Sequence, residues 1–450
     1  MPQAKNLDEA IDNLVNVPLT NGRFNDFFVD TTEARGGEAT FQILKRELNK
    51  TKMENKHYLL AGAKGCGKST ELMRLQLALP DFLIVSYSVK NELDIFKFTH
   101  PELLIATMKK LFEAAQLNNL VVDERSLQLV LNWVDKMDTE IIKTAGSGLD
   151  TKAGVTAKAG LPGLLKIFTE LTVRAKFDTL VKETIHKSGD NLISQLIDNC
   201  NILINEIKHR LHSINKQGLL IIIEDLDKID LKQGEELFLN YASRLVALNV
   251  NTIYTYPISL IYHPKANIVL SSFDYMFLLP MIKTHTKNGL PYMENGQLEL
   301  KTIVEKRMSP ELFESPELMM KFIRYSGGVI FDLLRTLRDA VNSALNHERN
   351  IIIEKDWLLA YYRLIDYYRS MIADRIEGNT VVIKAADYNA ALVKVALSET
   401  KQPENTREEL ELRQNLCILS YNSEAWIDVH PAVKEILILK QLIDVRYRIQ

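Results

Sequence analysis

Hydrophobic and polar positions along the chain follow two kinds of pattern. Short apolar runs bounded by turn residues occur in HYLLAG (57–62), DFLIVSYSV (81–89) and LLIIIEDLDK (219–228). Such runs indicate strands that are buried on both faces of a parallel sheet. Between the first two lies STELMRLQLAL, in which apolar residues recur at helical spacing. The order strand, glycine-rich turn, helix, strand predicts a βαβ unit and therefore an α/β fold with a parallel sheet core.

Helical patterns dominate the remainder. Apolar residues at helical spacing predict a helical insertion at about 100–215, a compact helical unit at 301–350 and a long connecting helix in DWLLAYYRLIDYYRSMI. A further strand is predicted in NTIYTYPISLIY (251–262). The stretch 146–163 lacks a helical stripe, which indicates a flexible insertion or a hairpin. The C-terminal segment predicts two short helices, a hairpin formed by LCILSYN and SEAWIDVH, and a last helix.

The length of the chain, 450 residues, predicts more than one hydrophobic core. The patterns suggest an N-terminal segment (1–50) that packs on a sheet-containing core (51–300), which carries the helical insertion. A helical lid (301–350) follows the core. The connecting helix and a C-terminal domain complete the chain (351–450).

Composition narrows the class of protein. With 46% hydrophobic and 25% charged residues, the chain is typical of soluble globular proteins. It has no apolar run of signal-peptide or membrane-spanning length, which predicts a cytoplasmic protein without a membrane contact. Cys66, Cys200 and Cys417 lie too far apart to indicate a zinc site or a disulfide framework. A net charge of −3 provides no overall attraction to nucleic acid.

The turn after the first predicted strand carries a phosphate-binding motif. GAKGCGKST fits the pattern G-x-x-x-x-G-K-[ST], with a strand before it and a helix after it. Its glycines allow successive backbone N–H groups to surround a phosphate, and the helix N-terminus adds positive charge. Lys68 is predicted to reach the β- and γ-phosphates, and the Ser69 hydroxyl to bind Mg²⁺. The predicted nucleotide-binding residues here are Gly62, Ala63, Lys64, Gly65, Cys66, Gly67, Lys68, Ser69 and Thr70.

Acidic residues end the strand LLIIIEDLDK. The carboxyl ends of parallel strands meet in one crevice, so Glu224 and Asp225 are predicted to lie beside the phosphates. One would hold Mg²⁺ through water, and the other would orient or deprotonate the attacking water. Adjacent carboxylates near a polyanion require a divalent cation, so Ser69, Glu224 and Asp225 form the predicted metal site. Asp227 either faces the same crevice or caps the next turn.

The phosphate-binding loop, the acidic strand and the helical unit ending YSGGVIFDLLRTLRDAVNSAL resemble the AAA+ and STAND ATPases, particularly bacterial members similar to the origin-recognition ATPases. The resemblance covers roughly residues 20–350. It implies a P-loop core with a helical lid, a winged-helix-like C-terminal domain, and Mg²⁺-dependent hydrolysis of ATP. It also implies a polar sensor, matched by Thr255, and an adenine-contacting segment, matched by FFVDTTEARG with Val29, Asp30 and Arg35 as candidates.

The chain departs from the family pattern at several positions. Glu224 stands where relatives usually carry Asp, which puts the metal geometry and the hydrolysis rate in question. Phe331 occupies the position of the arginine sensor; Arg335, one helical turn later, either replaces it or is a surface arginine. Arg307 is interpreted as a finger toward a neighbour's nucleotide or, preferably, as a surface charge. Without these arginines in place, hydrolysis would be slow.

The C-terminal segment shows no basic stripe. Residues 381–450 contain nine Lys and Arg against ten Asp and Glu, whereas domains that read DNA phosphates are normally basic. The helix TREELELRQN, where a recognition helix would lie, carries a cluster of glutamates, which favours protein contact over DNA. The stretch 146–177 is either an oligomer or partner contact or an irregular surface hairpin.

These observations support one main hypothesis and two alternatives. The main hypothesis is a slowly hydrolysing ATP-dependent switch that binds ATP and ADP and assembles as a homo-oligomer or engages a protein effector. Resemblance to the STAND proteins implies a role in bacterial stress or anti-phage defence. The alternatives are a DNA-binding loader or partition-type ATPase and a nucleotide-binding scaffold that does not hydrolyse ATP.

Overall fold

The computed structural model describes residues 2–15, 17–19, 21–37, 39–149, 160–187, 190–287, 289, 296–377, 379–421 and 426–448. Its central sheet contains five parallel strands in the order β2-β3-β4-β1-β5. They are β1 (His57–Ala61), β2 (Phe82–Ser88), β3 (Gly218–Glu224), β4 (Asn251–Tyr256) and β5 (Tyr275–Leu278). The predicted α/β fold with a parallel sheet is confirmed.

The predicted strand 251–262 is shorter in the structure. It ends at Tyr256, and Ile258–Ile261 form a short helix instead. Pro257 separates the two because proline has no N–H to donate to a neighbouring strand.

Strand β3 is buried on both faces, as its apolar run predicts. Leu219, Ile221 and Ile223 pack into the core beneath the insertion helices. Leu220 and Ile222 point to the opposite face and pack against α3 (Thr40–Lys50) and α4 (Lys68–Leu77). The side chains of a strand alternate between faces, so only an uninterrupted apolar run can fill both layers. The acids that follow are therefore held at the carboxyl end of an inner strand of the sheet.

The helices before and within the core are short, apart from those of the insertion. The N-terminal segment and the P-loop region contain α1 (Leu7–Asn13), α2 (Asn21–Phe27), α3, α4 and α5 (Val89–Glu92). The insertion comprises α6 (His100–Leu117), α7 (Glu124–Ala145), α8 (Gly160–Phe177), α9 (Thr179–Lys187) and α10 (Asp190–Arg210). The end of the core contains α11 (Leu231–Glu235), α12 (Ala242–Leu245), α13 (Ile258–Ile261) and α14 (Ala266–Ser272).

The lid and the C-terminal part follow the core. The lid comprises α15 (Leu298–Glu305), α16 (Pro316–Tyr325) and α17 (Ile330–Asn346). The C-terminal part comprises α18 (Glu354–Met371), β6 (Arg375–Glu377), β7 (Thr380–Ile383), α19 (Ala385–Leu397), α20 (Arg407–Gln414), β8 (Ile418–Tyr421), β9 (Trp426–Val429) and α21 (Pro431–Leu439). Two helices, a hairpin and a last helix agree with the predicted winged-helix-like domain. Single 3₁₀ or π turns occur at Glu33–Arg35, Leu211–Ile214, Leu226–Lys228, Glu236–Asn240, Pro310–Leu312 and Val445–Tyr447.

The structure corrects one interpretation of the insertion. Residues 150–159 of the predicted flexible stretch lie outside the described residues. From Gly160 onward the chain forms α8, so the hairpin interpretation is wrong for 160–177. The apolar residues Leu164, Phe168 and Leu171 recur at helical spacing and are buried against the rest of the insertion.

Two large cores divide the molecule. One joins the sheet to the insertion helices, and the other joins the lid to the C-terminal part. The N-terminal segment contributes to both halves, because α1 packs on α17 of the lid while α3 packs on the sheet. Within the described ranges, none of the helices combines the length and apolarity that a bilayer crossing requires.

Candidate functional site

The phosphate-binding motif forms a glycine-dependent turn between β1 and α4. Gly65 (φ 67°) and Gly67 (φ 108°) adopt left-handed backbone conformations that glycine favours. A Cβ atom on Gly65 would lie 2.5 Å from Cβ of Phe331, which is closer than packed carbons approach. The Phe331 N–H donates a hydrogen bond of 3.3 Å to the Gly65 carbonyl. The loop is therefore in direct contact with the lid helix α17, and α4 begins at Lys68 with its N-terminus at the loop.

Arg35 supports the loop from behind. Its side chain is only 3% exposed, and burial lowers the pKa of its guanidinium. Nη2 donates to the Cys66 carbonyl at 2.5 Å, Nη1 to the Pro280 carbonyl, and Nε to the Thr31 hydroxyl at 2.9 Å. Each nitrogen of the guanidinium thus has an oxygen partner, and these bonds hold the P-loop backbone to β5 and the N-terminal segment.

The side chains of the other two candidates from FFVDTTEARG, Val29 and Asp30, face different surroundings. Val29 lines a small cavity beside the loop, together with Arg35. Asp30 forms an ion pair of 2.6 Å with Arg74 and accepts a hydrogen bond from the Thr32 hydroxyl. The carboxylate of Asp30 is therefore used at the surface of α4, and it does not line the small cavity.

Lys68 is buried against the acidic turn. Its ammonium group donates to the carbonyls of Gly62 and Ala63 at 2.7 and 2.8 Å. It also forms an ion pair of 2.9 Å with Asp227, and both side chains are 5% exposed. Burial alone would lower the pKa of Lys68, but the negative charge of Asp227 raises it above its ordinary value. Of the two alternatives for Asp227, the structure shows the one in which it faces the crevice.

Glu224 lies on the other side of the crevice, beside Ser69. Ser69 and Glu224 line the same cavity, the Ser69 side chain acts on the Glu224 carboxylate, and this carboxylate accepts a hydrogen bond of 3.3 Å from the Ser86 hydroxyl. Burial raises the pKa of Glu224, and the negative charge of Asp225 adds to this effect. In the described part of the chain, no Lys or Arg lies within ion-pair distance of Glu224. This half-buried carboxylate is therefore available to a cation.

Asp225 has a different environment. Its backbone is left-handed (φ 70°), and its carboxylate accepts hydrogen bonds from Ser88 and Lys228 and lies 3.3 Å from Lys90. Burial would raise the pKa of Asp225, but the hydrogen bonds from Lys228 and Ser88 lower it below its usual value. The two adjacent acids therefore differ: Asp225 is neutralised by two lysines, whereas Glu224 is not.

The structure does not bring Thr255 and Arg335 to the wall of the crevice. The Thr255 hydroxyl accepts a hydrogen bond from the Leu226 N–H at 3.0 Å and lies 3.3 Å from the Ile223 carbonyl, so it joins β4 to the acidic turn. The Arg335 guanidinium stacks 4.3 Å from the ring centroid of Tyr367. Of the two, Thr255 is positioned to hold the turn that carries Asp225, and Arg335 contacts the connecting helix.

Two cavities meet at the P-loop. The larger, of about 610 Å³, lies between the loop, the acidic turn and the lid. The smaller, of about 60 Å³, lies between the N-terminal segment and the lid. Of the predicted residues, the larger is lined by Lys64, Gly65, Gly67, Lys68, Ser69, Thr70, Glu224 and Asp225. Gly62, Ala63 and Cys66 form the base of the loop and do not line it. Lys68 and Asp225 therefore line one cavity, as the two motifs predict.

Sequence reasoning missed three residues of this wall. Ser88, Lys90 and Lys228 surround Asp225. Ser88 lies opposite Glu224 in the register of β2 and β3. A polar residue at the end of DFLIVSYSV was a visible signal, but only the strand order shows that β2 is the neighbour of β3.

Arg307 requires a correction. Its side chain is 5% exposed and lines both cavities, so the interpretation as a surface charge is wrong. The guanidinium packs 5.0 Å from the centroid of the Phe27 ring. The helical pattern of α15 did not show this, because Phe27 is remote in sequence.

The C-terminal part closes one side of the site. Gln414 of α20 donates to the carbonyls of Asp227 and Ile229 at 2.7 and 3.1 Å, and its side-chain oxygen accepts from Ser259 at 3.1 Å. Asn415 and Leu416 line the larger cavity. Helix α20 packs on α13 and is buried from Glu409 to Gln414. In this arrangement, the helix that stands where a recognition helix would lie contacts the acidic turn.

Comparison with known proteins finds similar solved structures, but their sequence identity to this chain is low. No family model matches this chain, and no curated protein matches its sequence. Similar solved structures include the ORC2 protein of Aeropyrum pernix (13% identity, TM-score 0.35, 91% of this chain and 94% of that chain). Others are the ORC1 protein of the same organism in complex with DNA (12%, 0.39, 95% and 98%) and a Walker-type ATPase of Pyrococcus abyssi (12%, 0.41, 92% and 99%). These names agree with the resemblance to origin-recognition ATPases. At these TM-scores the likeness carries no argument about activity, so the functional assignment rests on the residues of this chain.

Proposed function

We propose that this protein binds ATP between its P-loop and its lid, hydrolyses it slowly with Mg²⁺, and uses the nucleotide as a conformational switch. One observation carries the proposal: the P-loop lysine and serine each contact a different acid of the β3 turn across one cavity. Lys68 pairs with Asp227 at 2.9 Å, and Ser69 lies beside Glu224 in the wall of the same cavity. Such a cavity matches a polyanion with a bound divalent cation.

The phosphates would be bound by the P-loop backbone and by lysine side chains. Lys68 already has its donors directed at carbonyl and carboxylate oxygens, and phosphate oxygens would replace some of these partners. Lys64 lies in the same wall. The N-terminus of α4 adds a favourable dipole and unpaired N–H groups.

The residues present fit a magnesium ion at Ser69 and Glu224. A hydroxyl and a carboxylate are ligands that Mg²⁺ accepts, with phosphates and water completing the octahedron. Of the three acids, Glu224 is the one without a basic partner in the described part of the chain, and burial together with the charge of Asp225 raises its pKa. Asp225, which was also predicted as a metal ligand, fits less well because its carboxylate forms ion pairs with Lys90 and Lys228. Bound Mg²⁺ would neutralise charge developing on the phosphates.

The adenine base would enter the smaller cavity. Its walls include the apolar side chains of Val29, Phe28 and Ile303, which suit the faces of a purine ring. The Thr31 hydroxyl lies in the same wall. This placement puts the base against the N-terminal segment and the lid, so nucleotide binding would join the two.

Slow hydrolysis follows from the groups around the larger cavity. Phe331 occupies the start of the lid helix where an arginine would compensate charge on the γ-phosphate, and Arg335 stacks on Tyr367. Asp225, the candidate base, is held by two lysines. A base with a lowered pKa abstracts a proton less readily. These features also favour a second candidate, a nucleotide-binding scaffold without turnover.

The switch would operate through the acidic turn. Gln414 binds the carbonyl of Asp227, whose side chain holds Lys68. Withdrawal of Lys68 toward a phosphate would leave Asp227 without its cation, and the turn would rearrange together with α20. Release of α20 would expose a surface for another copy or a protein effector. A role in bacterial stress or anti-phage defence remains a prediction from the resemblance.

Phosphate release and nucleotide-induced thermal stabilisation test this function. The wild type is expected to be stabilised by ATP and to release phosphate slowly. Lys68→Ala and Asp225→Asn are expected to lose turnover, while the surface variant Lys187→Ala, whose ion pair with Glu183 is exposed, keeps it. Since Lys68→Ala also leaves Asp227 unpaired, Ser69→Ala serves as a second variant that preserves the buried pair.

The outcomes separate the candidates. Stabilisation by ATP without phosphate release from the wild type would leave only the scaffold. A wild type whose melting temperature does not respond to ATP or ADP would refute the proposed function.

A further inference from the structure

Arg307 is a buried arginine at the junction of the two cavities. Nη1 donates to the Ile303 carbonyl at 2.9 Å and lies 3.5 Å from the Phe27 carbonyl, and the guanidinium packs on the Phe27 ring. The wall that both cavities share contains Arg307 together with Gly67 and Thr70 of the P-loop. The side chain is thus placed where the two compartments meet.

The charge of Arg307 has no counterpart in the described part of the chain. No carboxylate lies within ion-pair distance of Arg307 there. The charge that acts on its guanidinium is that of another cation, Arg23. Burial and this repulsion lower the pKa of Arg307 to about 10. A buried cation without an anion is unfavourable, so its environment suits an anionic ligand.

The other buried arginines differ from it. Arg35 directs all three of its guanidinium nitrogens to oxygen atoms, and Arg413 pairs with Glu409. Arg307 uses only Nη1, and its remaining nitrogens have no acceptor among the described residues. Arg413 also leaves Nε and Nη1 without an acceptor, but its charge is paired with a carboxylate. Of these three arginines, only Arg307 lacks both an ion-pair partner and acceptors for its other nitrogens among the described residues.

The backbone of Arg307 is held in place. Its carbonyl accepts hydrogen bonds from the Ala4 N–H at 3.0 Å and from Asn13 Nδ2 at 2.8 Å. The N-terminal segment and the lid together therefore fix where the guanidinium can reach. Preorganisation of this kind lowers the entropic cost of binding a ligand.

We propose that Arg307 binds the nucleotide within its own subunit, and that its guanidinium contacts the phosphate nearest the nucleoside. The inference rests on the proposed function. Lys68 and Glu224 line only the larger cavity, where the terminal phosphate would lie. Arg307, Gly67 and Thr70 line the passage between the base and the terminal phosphate, so the first phosphate is the group within their reach. ADP and ATP share this phosphate, and Arg307 would serve both.

Calorimetric titration of the full chain with ADP and with ATP, without Mg²⁺, tests the inference. Arg307→Gln is expected to weaken both ligands by a similar factor of about 10- to 100-fold, the size of a charge-assisted hydrogen bond. Arg307→Lys, which keeps the charge, is expected to be intermediate. Arg23→Gln is the matched control. Arg23 packs on the same Phe27 ring, 5.3 Å from its centroid, but lines neither cavity. The affinity of this variant for ADP and ATP should stay within about two-fold of the wild-type affinity.

Thermal unfolding distinguishes a binding role from a structural one. Without nucleotide, Arg307→Gln is expected to melt at or above the wild-type temperature, because an uncompensated buried charge is removed. The stabilisation by ADP is expected to shrink. Unchanged affinity for both ligands, or a lower melting temperature with an unchanged ADP effect, would overturn the inference. Loss confined to ATP would overturn the assignment to the first phosphate. A wild type that binds neither ligand would refute the proposed function itself.

Discussion

Three carboxylates stand within four positions at the end of β3, and each has a different partner. Glu224 contacts Ser69, Asp225 contacts two lysines, and Asp227 pairs with Lys68. These three carboxylates thus have different contacts, because the backbone directs their side chains toward different parts of the cavity. The left-handed conformation of Asp225 is one cause, since it turns the chain between the first acid and the third.

A first prediction concerns which acid serves the metal. Glu224→Gln is expected to bind ATP with an affinity that Mg²⁺ changes by less than about two-fold, because the carboxylate available to a cation is gone. Asp225→Asn is expected to retain the wild-type response to Mg²⁺. Titration of ATP with and without Mg²⁺ measures both. The opposite pattern would assign the metal to Asp225.

A second prediction concerns pH. Burial, together with the charges of Asp30 and Glu33, raises the pKa of Glu299 from 4.5 to about 7. The folded state therefore holds a proton that the unfolded state has released between these values. The stability that Glu299 contributes is complete below pH 4.5 and is lost as the pH rises through about 7.

The variant Glu299→Gln isolates this contribution. Between pH 5 and pH 8, the melting temperature of the wild type is expected to fall more steeply than that of the variant. Scanning calorimetry over this range provides the comparison. Parallel curves for the two proteins would contradict the raised pKa.

At the scale of elements, α20 links the C-terminal part to the acidic turn. It is short, yet buried through contacts with α13 and α19. Its last residue, Gln414, satisfies two carbonyls of the turn that follows β3. The helix that stands where a recognition helix would lie is thus buried against the acidic turn, and the two residues that follow it line the larger cavity.

A third prediction tests this link. Gln414→Ala leaves the carbonyls of Asp227 and Ile229 without their donor, so the free energy of unfolding is expected to fall by about 1 to 3 kcal/mol. Gln195→Ala, which removes only hydrogen bonds to Asn191 and Lys136 at the surface, is expected to change it by less than about 0.5 kcal/mol. Urea unfolding with an unaltered m-value measures both changes. Equal effects would show that the α20 contact adds no stability.

At the scale of the whole molecule, the lid, the N-terminal segment and the C-terminal part surround the larger cavity beside the P-loop. Three groups that a bound phosphate would affect belong to different segments. Lys68 belongs to the core, Arg307 to the lid and Gln414 to the C-terminal part. A ligand bound there can bias all three at once, which is the requirement for a switch.

A fourth prediction follows from charge and from the burial of α20. Fluorescence anisotropy with duplex DNA at about 50 mM salt, where phosphate contacts are strong, is expected to show no binding. Mass photometry of the same protein is expected to show a change in assembly on addition of ATP and Mg²⁺. DNA binding that weakens steeply with salt would favour the loader hypothesis instead.

Sequence patterns were sufficient for four of the five strands of the sheet, for the P-loop and for the acidic end of β3, but not for β5 or for the strand order. Those features depend on local patterns: an apolar run that fills two layers, glycines that permit left-handed backbone, and a lysine and a serine next to them. The sequence also identified the hairpin and the helices of the C-terminal part, because their periodicities are complete within short segments.

Only the tertiary structure decided which acid lacks a basic partner, where Arg307 lies and what α20 covers. Lys90, Phe27 and Asp227 are remote in sequence from the groups they contact, and periodicity carries no information about such pairings. Charge compensation and burial depend on distances between segments, and these exist only once the strand order and the docking of the C-terminal part have brought the segments together.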